Sequence, residues 1–160
     1  MKNEYAQWRK LDNAALAFPA VTGKNDTRVF RFYCELKEEI KEENLQEALE
    51  RTLEKYPLFR AVLRKGLFWF YLERRDIPAV VKKEAGAPCS GLYIPDKKTL
   101  LFRVSYYKNR INFEVFHALT DGTGAMHFLM ELVKNYLYLA HQKEGLEPVS
   151  MLPEDMTVQD

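Results

Sequence analysis

The sequence predicts an α+β domain, a mainly antiparallel (mixed) sheet with helices packed on one face. Three observations carry this reading. Two pairs of alternating, β-rich segments meet at short polar turns. Two amphipathic segments repeat their apolar residues at helical spacing. Along the chain the order is strand, helix, hairpin, loop, hairpin, helix, so strands outnumber helices. A chain of 160 residues is long enough for one domain that buries roughly 70% of its unfolded surface. The expected organisation is a single domain over 1–160, with the folded lobe from about 8 to 140 and an irregular tail over 141–160.

Taken in order, Asp12 is placed to cap a short helical turn in DNAALAFPAV, which stops before Pro19 because the residue preceding proline is pushed out of the helical region. TRVFRFYCEL alternates Val29, Arg31 and Tyr33 with Phe30, Phe32 and Cys34, a strand with aromatics on both faces. In KEENLQEALERTLEKYP, Leu45, Ala48, Leu49, Leu53 and Tyr56 share one helical face, and Pro57 ends the helix. FRAVLRKG and LFWFYLERR form a hairpin with a tight turn at Lys65 and Gly66, and the aromatic run from Phe68 to Tyr71 reads as a strand buried on both faces. Between Asp76 and Lys98, Pro78, Gly86, Pro88, Gly91 and Pro95 predict an irregular connection with at most a short strand at Ala79 to Lys82. TLLFRVSYY and RINFEVFH make a second hairpin turning at Lys108 and Asn109. The last helix is expected from about Thr123 to Ala140, with Met126, Leu129, Met130, Val133 and Leu137 on its apolar face.

Overall composition points to none of several classes. Lys+Arg 24 against Asp+Glu 23 leaves a formal net charge of +1, with the two signs interleaved, so nothing calls for nucleic acid or an anionic membrane. The N-terminal stretch has only a short apolar window, broken by Asp12 and Asn13, which is neither a secretory leader nor a membrane span. A cytoplasmic location is the default expectation. Cys34 and Cys89 are too few for a disulfide framework and are expected as reduced thiols. GTG lacks the spacing of a nucleotide loop, and Ser90 and Ser105 lack a nucleophile-elbow setting.

The chemistry gathers where the last strand meets the last helix, in EVFHALTDGTGAMHFL. Alternation puts His117 on the same side as Ile111, Phe113 and Val115, which desolvates the imidazole and favours its neutral form, the form a general base needs. Asp121 can cap the helix, accept a backbone N–H in the turn, or pair with an arginine. On these residues alone, a plain helix cap beside a core histidine and a catalytic corner both stand. His127 completes no metal set with His117 and Asp121, because the glycines break the helical register, and no metal is expected. His141, near the tail, is expected to be exposed.

His117, Asp121 and Gly122 form a His-x-x-x-Asp-Gly motif, and its setting resembles the CoA-dependent acyltransferase superfamily, which includes chloramphenicol acetyltransferase and nonribosomal-peptide condensation domains. WRKLDNAALAFPAV, LQEALERTLEKYPLFRAVLRKGLFWFYLE and LFRVSYYKNRINFEVFHALTDGTGAMHFL are similar to the N-terminal lobe of bacterial alcohol acetyltransferase-type proteins, over about Trp8 to Leu139. The resemblance implies one lobe of the chloramphenicol-acetyltransferase-like fold. It implies transfer of an acyl group, acetyl first, from acyl-CoA to an alcohol or related acceptor, with acyl-CoA as co-substrate and no tightly bound cofactor. His117 would be the general base and Asp121 a structural brace in salt bridge with an arginine, for which Arg60 is the candidate. Gly122 would allow the tight turn. Two departures stand out: Phe116 replaces a second histidine common before the catalytic one, and the family has two lobes with the site between them. The implied partners are therefore a second lobe or another copy of this chain, and the alternative is a non-catalytic lobe acting as a binding module.

Overall fold

The computed structural model describes residues 8–10, 28–94 and 97–142. Its elements are β1 (Trp8–Lys10), β2 (Val29–Glu35), α1 (Glu42–Lys55), a 3₁₀ turn (Pro57–Arg60), β3 (Ala61–Lys65), β4 (Phe70–Arg74), β5 (Lys82–Lys83), β6 (Phe102–Tyr107), β7 (Arg110–Phe116) and α2 (Gly122–Ala140). The expected turn at Asp12 and the tail beyond His141 lie outside the described residues, apart from Gln142.

The strands form two sheets rather than one. A three-stranded antiparallel sheet has the order β1-β4-β3, and a four-stranded sheet has the order β2-β7-β6-β5. Among the described residues only the β5 to β6 pairing is parallel, so the larger sheet is mixed. The second hairpin turns where its sequence predicts, through Lys108 and Asn109, with Lys108 at φ 51. The first does not. Lys65 pairs with Phe70, so four residues rather than a tight turn join β3 to β4, and Leu67, Phe68 and Trp69 are exposed instead of buried in a strand. The short middle strand is also displaced, to Lys82–Lys83, because the Gln46 side chain takes the backbone of Ala79 and Val81 for itself (2.8 Å each).

Cross-strand register sorts the larger sheet into two faces. Phe30, Val115 and Phe102 line up, as do Phe32, Phe113 and Val104. The helices cover this apolar face. Phe128 of α2 stacks on Phe113 (4.8 Å) and on Phe59 of the 3₁₀ turn (4.2 Å), an aromatic seam through the core. α1 buries Leu45, Ala48, Leu49 and Leu53 as its spacing predicts. On α2 the buried face is Ala125, Phe128, Leu129, Leu132, Val133 and Tyr136, rotated from the expected one, and Met126 is exposed. An almost wholly apolar helix carries more than one candidate stripe, and the aromatic shelf of Phe59 and Phe113 selects the stripe that contains Phe128. The helices are tied by Tyr136, whose buried hydroxyl accepts the N–H of Lys41 (3.0 Å) at the start of α1.

The opposite face is polar and lies beneath the 84–93 segment. Arg31, Glu114 and Arg103 stand side by side across β2, β7 and β6. Glu114 is 1% exposed and accepts from Arg31 Nε (3.1 Å), Arg103 Nε (2.7 Å) and the Cys89 backbone N–H (2.5 Å). Glu84 in turn receives Arg31 (2.6 Å) and Arg110 (2.9 Å), and Tyr93 stacks on Phe116. A buried carboxylate between two guanidiniums thus pins an irregular segment to the sheet.

Candidate functional site

His117 is the first residue after β7, where the chain turns towards α2. Its N–H donates to the Arg28 carbonyl (2.9 Å), which holds the corner against the start of β2. Its ring is half-buried and tilts against Phe30, centroids 4.3 Å apart at 42°. Since Phe30 shares a face with Val115, the imidazole leaves the sheet on the apolar side. Burial lowers its proton affinity from the ordinary 6.5, and the positive charge of Arg28 lowers it further. The neutral form is therefore favoured near pH 7, the form a general base requires.

Asp121 is the N-cap of α2, and its Oδ1 accepts the Gly124 N–H (2.8 Å). Of the three roles open to it from sequence, this is helix capping. Asp121 is exposed, and among the described residues it makes no ion pair. Arg60, the expected partner, stands elsewhere: its guanidinium bonds Glu50 of α1 (2.5 Å) and lies 3.8 Å from Asp76. The expectation of an Arg60 to Asp121 bridge is corrected by this placement. Arg60 ends the 3₁₀ turn beneath α1, where a carboxylate one helix away is within reach and the α2 cap is not.

Gly122 also differs from expectation. A Cβ there would meet only Phe32, at 4.0 Å, and its φ is not left-handed, so the turn does not require glycine at that position. The demanding position is Gly124, where a Cβ would fall 2.1 Å from Thr120 Oγ1 and 3.3 Å from the capping Asp121 Oδ1. Sequence reasoning missed Gly124 because the motif ends at Gly122. It missed Arg28 too, which holds a left-handed φ of 51 at the site; no pattern in the sequence marks it, and only the register of β2 against β7 brings it to His117.

The remaining candidates disperse. His127 is exposed on α2. His141, expected to be exposed, is half-buried and lies 2.9 Å from Glu38. Cys34 and Cys89 are half-buried thiols outside any disulfide, and burial pushes both up, with Glu114 adding to the effect at Cys89. Among the described residues no helix is long and apolar enough to cross a membrane.

Such an architecture, a mixed sheet whose last strand delivers a histidine to a capped helix, is one lobe of the condensation-domain, chloramphenicol-acetyltransferase-like fold. Solved structures establish the likeness. The starter condensation domain of rhizomide synthetase matches at a TM-score of 0.66 and 13% identity, covering 89% of this chain and 40% of its own. Polyketide synthase associated protein 5 from Mycobacterium tuberculosis matches at 0.64 and 17%, covering 96% and 38%. The epimerization domain of the third module of tyrocidine synthetase B matches at 0.64 and 12%, covering 92% and 39%. At these identities the likeness is one of fold. The chain spans about two-fifths of the length of the structures it matches. No protein-family model and no curated protein matches the sequence.

Proposed function

We propose that this chain supplies the base-bearing lobe of an acyltransferase, which moves an acyl group, acetyl first, from acyl-CoA to an alcohol or related small acceptor. The observation that carries the reading is the state of His117, half-buried against Phe30 and beside Arg28, which favours the neutral imidazole. The imidazole takes the acceptor's hydroxyl proton as the oxygen bonds to the thioester carbonyl carbon. The carbon–sulfur bond then breaks, and the departing CoA thiolate recovers that proton from the imidazolium. Asp121 acts at a distance, fixing the first turn of α2 and with it the corner that aims His117. The opposite wall of the site comes from a second lobe or from another copy of this chain. Half a site supplies a base without the positioning that makes the base effective.

The test is transfer from acetyl-CoA to a panel of alcohols, read as ester by mass spectrometry, for the chain alone and in the presence of its second lobe. His117→Ala is expected to lower kcat/KM by about 10²- to 10⁴-fold. Equal turnover by wild type and variant, or none by either in both settings, sinks the catalytic reading. A second reading, a non-catalytic binding lobe, is favoured by one observation: Arg60, the expected partner of Asp121, pairs with Glu50, and among the described residues Asp121 makes no ion pair. It predicts saturable binding of acyl-CoA or acceptor with no ester formed.

A further inference from the structure

The loop between β3 and β4 carries Leu67, Phe68 and Trp69, exposed by 93%, 87% and 48%. Three consecutive large apolar side chains at the tip of a hairpin form a contiguous patch of the kind that marks an interaction site. The loop's closing backbone pair is already satisfied, the Gly66 N–H donating to the Trp69 carbonyl at 2.7 Å, so entry into an apolar medium strands neither group. A Cβ at Gly66 would stand 3.1 Å from that same carbonyl oxygen, which the tight closure explains.

Among the described residues of the hairpin, the charges nearest the tip are positive. In register, Lys65 faces Phe70 and Arg64 faces Tyr71. The nearest carboxylate in the hairpin is Glu73, two rows further from the tip than Arg64, and it is held by Arg75 (2.9 Å) and faced by Arg64 (3.6 Å). From residue 64 to 72 the sequence contains no acid.

We propose that Leu67, Phe68 and Trp69 form a docking tip for an anionic lipid surface, the apolar side chains entering the acyl boundary while Lys65 and Arg64 meet the headgroups. A convex apolar tip suits a fluid surface, which needs no matching groove, and a tryptophan at the base of the tip suits the interface. A second copy is the weaker occupant. The groove of about 410 Å³ along the Phe102 to Val104 edge of β6 has the apolar floor to receive a tip, but Lys82, Lys98 and Arg103 line it with the tip's own charge. The inference stands apart from the acyl-transfer reading.

Co-sedimentation with phosphatidylcholine vesicles, with and without phosphatidylglycerol, tests it. The chain is expected to partition onto the phosphatidylglycerol vesicles, less so at high salt. Leu67→Ser with Phe68→Ser should reduce partitioning at least about tenfold. Lys65→Glu should reduce it on the anionic vesicles alone. Thermal melts should show the variants folded, since the substituted side chains are exposed. Absence of wild-type binding to either vesicle overturns the proposal, as does undiminished binding by the serine variant. A fall in solution mass on serine substitution would also overturn it, making the tip a contact between copies.

Discussion

His117 is governed by its immediate surroundings more than by its motif. Burial and the charge of Arg28 hold its proton affinity below 6.5. Between that lowered value and 6.5 the unfolded chain carries a proton at this position and the folded chain does not. Stability therefore falls as pH drops through the window, and the whole loss is present below the folded value. Denaturant unfolding across about pH 7 to 5 is expected to show this slope, and His117→Gln to flatten it. Removing the nearby charge acts on the same group: Arg28→Gln should move the imidazole titration upward, read by NMR on a chain with three histidines. No movement would mean that Arg28 contributes only its carbonyl. At the cap, Gly124→Ala drives a methyl into Thr120 Oγ1, and a loss of about 1–3 kcal/mol in denaturant unfolding is expected. Gly122→Ala meets only Phe32, so its effect should be clearly smaller.

At the scale of elements, two buried polar contacts hold the layers together. Tyr136→Phe leaves the Lys41 N–H without its acceptor at the α1 N-terminus, where no side chain caps it, and about 1–3 kcal/mol should be lost. On the other face of the sheet, Glu114→Ala leaves Arg31 and Arg103 facing each other across β7. Breaking a buried pair from one side costs about 3–5 kcal/mol, and the 84–93 segment should become open to proteolysis. Acid acts on the same network through Glu84. The Arg31 hydrogen bond, with Arg110, holds its carboxyl below 4.5, so its contribution is complete above 4.5 and fades as pH falls through the lowered value.

For the whole molecule, the proposed site has one wall. If a second copy supplies the other, the solution mass will be a multiple of 18.8 kDa, and any transfer rate per chain will rise with chain concentration. A monomeric mass, with activity appearing only on addition of a second lobe, assigns the wall to that lobe. The tip of the β3–β4 hairpin is a separate surface at this scale, and its vesicle test does not depend on the outcome for His117.

Local pattern was enough for β2, α1, β7 and the hairpin at Lys108, because alternation and helical spacing report directly on which residues can share a buried face. The same logic placed His117 at the end of an apolar face and offered Asp121 as a cap. It failed where the answer depends on distant neighbours. Which stripe of α2 is buried was decided by Phe59 and Phe113, and which carboxylate Arg60 meets was decided by the packing of α1 over the 3₁₀ turn. Arg31, Glu114 and Arg103 are three unremarkable charges in the sequence, separated by 83 and 11 residues, until strand register sets them side by side. The aromatic run at Phe68 has strand composition, yet Gly66, Leu67, Phe68 and Trp69 are spent on a loop, because the pairing of Lys65 with Phe70 leaves those residues outside the ladder. Periodicity constrains the face a residue takes within its own element; only the assembled sheet fixes what that face meets.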